Sequence, residues 1–121
     1  MRKPLIVVMI MLLTACYASG LVNQEREVVI TKEDAEKGML LAAESDCLAC
    51  HKTDEDIIGP SYKAVAKKYR ATEKNINMLA NRIITGGKGH WSDVPMPPHF
   101  DLPVDDAKLM VKYVLSLKKA Q

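Results

Sequence analysis

Residues 45–62 read SDCLACHKTDEDIIGPSY. Cys47 and Cys50 are separated by two residues, His51 follows directly, and Gly59-Pro60 comes shortly after. The chain has 121 residues and three cysteines, too few for a disulfide framework. The pair therefore holds something else, and the fold follows from what that is.

The length suits one domain and is too short for two with separate cores. Hydrophobic residues make up 48% and charged ones 26%, an ordinary globular mix, yet aromatics reach only 5%, with one Trp and one Phe. Such a domain is thinly packed unless something other than side chains fills its centre.

The opening MRKPLIVVMIMLLTACYASG reads as export rather than fold. Arg2 and Lys3 form a charged start, and the apolar run Leu5 to Leu13 is too short to span a bilayer but right for a secretory signal. The string LTAC resembles a bacterial lipobox, in which cleavage leaves a lipid-bearing cysteine at the new N-terminus. An ordinary signal, cut after Ala18 or Gly20, is the alternative. On the lipoprotein reading residues 1–15 are the signal peptide, and a lipid on Cys16 holds the protein at a membrane surface without crossing it. That reading also accounts for the third cysteine. Losing residues 1–15 lowers Lys plus Arg from 17 to 15, against 15 Asp plus Glu, so no basic excess remains for nucleic acid. Export to the periplasmic side of a bacterial membrane also means an oxidising compartment, where a free cysteine pair must be tied to something.

Residues 16–31 read as a flexible tether, with Val28, Val29 and Ile30 alternatively lying against the domain, which occupies residues 32–121. A first helix starts at Thr31, its N-cap, with Asp34 placed to reach back. Met39, Ala42 and Ala43 form its apolar stripe, and Gly38 marks the close approach of another element. A second helix follows Gly59-Pro60, with Tyr62, Val65 and Tyr69 on one face. A third runs from about Thr72 to Gly86-Gly87. The irregular stretch GGKGHWSDVPMPPHFDLPV comes next, and a last helix begins near Asp105, with Leu109, Met110, Tyr113, Val114 and Leu117 at helical spacing. Neither strand signals nor repeats appear, so the class is all-α with one long loop.

Three chemistries use two cysteines separated by two residues. A redox dithiol belongs to a βαβ context, which is missing here. Zinc needs two further ligands at short spacing; His51 offers one, while His90 and His99 are distant. Covalent haem attachment uses all three residues of Cys-x-x-Cys-His. On one helical turn the two sulfurs reach the two vinyl groups of a porphyrin edge, and the histidine next to them meets the iron. A haem c bound through Cys47 and Cys50 also supplies the apolar interior that the aromatics do not.

From Lys32 to Gln121 the chain resembles a class I cytochrome c of the small, single-haem bacterial type. The resemblance is carried by EDAEKGMLL, CLACH, GPSYKAVAKKY, NRIITGGKGHWSDVPMPP and AKLMVKYVLSL. It implies three to five helices wrapped around one covalently attached haem. It further implies that the Pro60 carbonyl accepts the other ring N–H of His51, and that the Trp91 indole bonds a haem propionate, a core plug being the plainer role for Trp91. Gly38 facing Tyr113 resembles the family's crossing of first and last helices.

The iron's second axial ligand is read as Met96. Met39, Met78 and Met110 sit at helical apolar positions and are simplest as core filler. Met96 lies in VPMPP, where Pro95, Pro97 and Pro98 restrict the unfolded loop and so reduce the entropy lost when the sulfur is held. The resemblance points to the same residue. His90 and His99 are the lesser candidates. An iron held by His51 and Met96 has no open coordination position, which implies a one-electron carrier rather than an enzyme. The alternatives are a haem subunit of a larger membrane oxidoreductase, or a ligand-binding or peroxidase-type protein in which Met96 dissociates. Expected partners are redox proteins, met by a monomer; Lys52, Lys63, Lys67, Lys68 and Lys88 are either a docking rim or solvated helix faces.

Overall fold

Three hydroxyls start three of the helices. Thr31 Oγ1 accepts the Asp34 amide at 3.1 Å, Ser61 Oγ accepts that of Ala64 at 3.2 Å, and Thr72 Oγ1 accepts that of Asn75 at 3.3 Å. Each satisfies one of the amides that the first turn of a helix leaves unpaired. The computed structural model describes residues 25–89 and 91–118. The signal segment, Cys16 and His90 lie outside the described residues. The helices are α1 (Lys32–Glu44), α2 (Cys47–Cys50), α3 (Tyr62–Lys68), α4 (Glu73–Thr85) and α5 (Val104–Ser116). Among the described residues there is no strand, only two isolated bridges, Glu27 with Thr72 and Gly87 with Met96. No described helix is long and apolar enough to cross a membrane.

The last helix organises the rest: α5 packs against α1, α3 and α4. Its contact with α1 is closest at Gly38, where an added Cβ would lie 2.0 Å from the Leu109 carbonyl oxygen and 2.9 Å from Tyr113 Cβ. Only hydrogen fits there. The same closeness corrects the expected stripe on α1. Gly38 and Ala42 are buried, but Met39 is 45% exposed and Ala43 is exposed. A face pressed against another backbone has room for small residues, so the larger Met39 turns outward and is not core filler. Nor does the Asp34 carboxylate reach back to its own helix start; it accepts from Lys112 Nζ at 2.7 Å and ties α1 to α5.

Between α4 and α5 lies a buried cluster of Ile76, Ala80, Ala107, Val111 and Leu115. Val28 and Ile30 pack on it, and the Val28 amide donates to the Ala71 carbonyl at 2.6 Å. These two residues thus lie against the domain. At the other end of α4, Gly86 adopts φ +65° and its amide donates to the Arg82 carbonyl at 2.8 Å. This left-handed glycine ends the helix as the sequence predicts.

Candidate haem site

The site begins with a single helical turn. The His51 amide donates to the Cys47 carbonyl at 2.9 Å, so both cysteines stand on one turn and the histidine follows at its end, where the backbone becomes extended. The loop after it folds back: the Gly59 amide reaches the Cys50 carbonyl at 2.8 Å, and the Tyr62 amide reaches the Lys52 carbonyl at 2.8 Å. Asp56 closes the loop by accepting the Ser61 amide at 2.6 Å. That bond, and a second from the Ser61 hydroxyl, hold the Asp56 carboxyl below its ordinary pKa of 3.8.

The return of this loop fixes the imidazole. His51 Nδ1 lies 2.7 Å from the Pro60 carbonyl oxygen. A carbonyl can only accept, so Nδ1 carries the hydrogen and donates it, leaving the Nε2 lone pair for a metal. Gly59 stands where any side chain would strike the ring, its added Cβ falling 2.6 Å from His51 Cε1. Tyr62 stacks on the imidazole with centroids 5.8 Å apart and planes at 20°, and Tyr113 meets Tyr62 edge-on at 5.8 Å. The Tyr62 hydroxyl is buried without a partner among the described residues, and burial pushes its pKa far above the usual phenol range. Burial likewise pushes the Cys47 thiol up.

On the opposite wall the chain is stitched to the end of α4. Gly87 and Met96 exchange both backbone hydrogen bonds, at 2.9 and 3.1 Å. A Cβ on Gly86 would come within 2.5 Å of the Met96 carbonyl oxygen. Arg82 Nη1 donates to the Lys88 carbonyl at 2.8 Å. His99, the lesser ligand candidate, serves the loop instead: its amide donates to the Ile84 carbonyl at 3.0 Å, and Nδ1 lies 3.2 Å from the Ile83 carbonyl. It thereby satisfies two of the carbonyls that the end of α4 leaves free. His90, the other candidate, lies outside the described residues.

One cleft brings Cys47, Cys50, His51, Pro60, Trp91 and Met96 together. Its remaining walls are mainly apolar, including Val65, Tyr69, Leu79, Ile83, Met110 and Val114, and its empty space, counted out through the mouth, is about 1330 Å³. Met78 also lines it, so that methionine faces the cleft and not the helical core. Trp91 sits at the rim, 40% exposed, with Lys68 Nζ 4.7 Å over its ring, a cation–π contact. Among the described residues no group of three His, Cys, Asp or Glu is placed to hold a metal ion alone, which leaves zinc without a ligand set. Two thiols on one turn, an imidazole with Nε2 free, a thioether-bearing residue and apolar walls are instead the donor set a haem c needs. Cys47 and Cys50 would hold its edge, and His51 its iron.

Arg82, His99, Asp56 and the ring contact of Gly59 escape a reading of the sequence. Arg82 stands in the last turn before a Gly-Gly stop, a position that favours bonding to nearby carbonyls. The other three carry no pattern of spacing.

The sequence family described as Cytochrome c matches residues 35–118. The chain belongs to the cytochrome c family. Among its relatives, cytochrome c-551 of Allochromatium vinosum is 40% identical over 79 residues, covering 65% of this chain and 84% of the relative. Cytochrome c-552 of Hydrogenobacter thermophilus is 40% identical over 78 residues, covering 64% and 79%. In three dimensions, wild-type Nitrosomonas europaea cytochrome c552 superposes with a TM-score of 0.62 at 35% identity, covering 66% of this chain and 99% of that one. The class 1 cytochrome MtoD of Sideroxydans lithotrophicus gives 0.60 at 30% identity, covering 71% and 98%. The fold is thus that of the small class I cytochromes c. Membership makes the chain an electron-transfer protein rather than an enzyme, and implies a covalently bound haem c at the Cys47–Cys50 turn.

Proposed function

We propose that this cytochrome c is a one-electron carrier with a single haem c, joined by thioethers to Cys47 and Cys50 and held axially by His51 and Met96. When bound, the haem supplies the redox chemistry; the protein supplies ligation, orientation and a dry pocket. Pro60 fixes the imidazole through Nδ1 and strengthens it as a ligand. The loop carrying Met96 faces the same cleft, and a thioether from Met96 on the iron would exclude exogenous ligands and favour the reduced state. Trp91, at the rim, would give its indole N–H to a propionate. The observation carrying this reading is the 2.7 Å contact of His51 Nδ1 with the Pro60 carbonyl, in a cleft that Met96 also lines.

The signal at residues 1–15 and the cysteine at position 16 support an exported lipoprotein on the periplasmic side of a bacterial membrane. Its partners are redox proteins. Of the five lysines read as either a docking rim or solvated helix faces, Lys52 pairs with Glu55 at 3.2 Å, Lys63 pairs with Asp54, and Lys68 lies over Trp91. Leu48, Ile58 and Val94 are about half exposed. Docking therefore rests more on apolar contact than on charge.

The test is a visible spectrum of the haem-loaded protein. Ferric wild type should show the weak red charge-transfer band of sulfur-bound iron, and Met96→Ala should lose it and bind carbon monoxide when reduced. Survival of the band in Met96→Ala would remove Met96 from the iron.

A further inference from the structure

Residues 25–30 precede the stretch that matches the family, residues 35–118, yet they are fastened to the body by three kinds of contact. The Val28 amide donates to Ala71 at 2.6 Å, within an antiparallel bridge of Glu27 to Thr72. Glu27 pairs with Arg70 at 3.0 Å, and Glu25 with Lys74 at 3.7 Å. Val28 and Ile30 pack on the core cluster, while Val29 between them is 84% exposed. That alternation is the side-chain pattern of an extended segment lying on a surface.

The position of this clasp matters as much as its strength. None of residues 25–30 lines the haem cleft. Tyr69, Leu79 and Ile83 line the cleft and also pack on the cluster that Val28 and Ile30 cover. The clasp is thus fastened behind the cleft wall, at the corner between α3 and α4.

We propose that the clasp makes the α3–α4 corner the face this protein turns to the membrane. The proposal rests on lipidation of Cys16. With residues 25–30 fastened, only residues 17–24 separate the lipid from the body, a leash that covalent geometry limits to about 28 Å. With the clasp released the leash runs to Thr31, and the limit rises to about 50 Å. The fastened leash keeps the body near the bilayer by its corner, and none of residues 25–30 occupies the cleft. Glu25 and Glu27 pair with Lys74 and Arg70, while Lys67 and Lys68 at the end of α3 stay exposed. Orientation comes from the point of attachment.

The test uses the lipidated, haem-loaded protein on phosphatidylcholine vesicles carrying a trace of headgroup-labelled fluorescent lipid. Haem quenches the label by a transfer that falls steeply with distance. Wild type should quench strongly, and Val28→Pro or the double variant Glu25→Gln/Glu27→Gln should quench roughly half as much, because the leash is longer. Equal quenching by all three overturns the proposal. Amide exchange at Val28 is read in wild type and in Glu25→Gln/Glu27→Gln, Val28→Pro having no amide at that position; it should be slow in wild type and roughly tenfold faster in the double variant. Vesicle-bound wild type with an unprotected Val28 overturns the clasp alone. Wild type that does not bind vesicles, with Val28 protected, overturns the anchor and the membrane face but not the clasp.

Discussion

The two walls of the cleft hold His51 and Met96, the two residues proposed as axial ligands, by different means. On the His51 wall the side chain itself is gripped: Pro60 takes its Nδ1 hydrogen, Gly59 abuts one side of the ring, and Tyr62 stacks on it. All of this comes from a short, local run of chain. On the Met96 wall the main chain is gripped, through the bond pair with Gly87 and the His99 amide on Ile84. Pro95, Pro97 and Pro98, its neighbours, are exposed. One residue is positioned by packing and the other by stitching. Packing resists until it is overfilled, whereas stitches fail singly, so the methionine wall should be the first to yield.

The largest effect should come from overfilling the histidine wall. Gly59→Val places atoms where a Cβ alone would be 2.6 Å from the ring, and the ring is tied to the Pro60 carbonyl. Denaturant unfolding of the haem-loaded protein should show a loss of about 3 kcal/mol, with reduced haem incorporation. Unchanged stability would mean that the ring is free to move. Next is Gly86→Ala, which meets a φ of +65° and the Met96 carbonyl at 2.5 Å. It should cost about 2 kcal/mol and weaken the sulfur band while the histidine side stays intact. A loss on both sides at once would erase the contrast between the walls.

His99→Ala removes one stitch, the side-chain bond to Ile83, and keeps the backbone one. We expect about 1 kcal/mol, read as carbon monoxide binding to the reduced protein several-fold faster than in wild type. An unchanged rate would show that this stitch does not restrain Met96. The smallest effect lies on the histidine side, at the loop closure. Asp56 has a folded pKa below its ordinary 3.8, so its stabilisation is full above that value and fades as pH falls through the folded pKa. Asp56→Asn should therefore melt slightly below wild type at neutral pH, with the gap narrowing only in more acid solution. Melting temperatures across that range would reveal a gap that stays constant, and such a result would exclude the carboxylate as the closing group.

Much of the histidine wall can be read from the chain because it is local. CLACH and Gly59-Pro60 announce a turn, a ligand and a return within one short run. The helix starts at Thr31 and Thr72 are equally local. The methionine wall is legible only in part. VPMPP singles out a residue, but the pairing of Gly87 with Met96 joins backbones, and backbone pairing leaves no trace in residue type. The α1 stripe is misread for another reason. Hydrophobicity counts large side chains, whereas the tightest face is built from Gly38 and Ala42, which such a count passes over. Asp34 likewise looks like a local cap, and only the fold reveals Lys112 as its partner.

The seating of α1 against α5 at Gly38 and Leu109 also governs the order of events in synthesis. The first helix of the domain has its main partner in the last, so during translation it waits for nearly the whole chain to emerge. The Cys47–Cys50 turn, which follows α1 directly, therefore emerges before the contact that closes the domain can form. Closure comes last, when the ends of the domain meet.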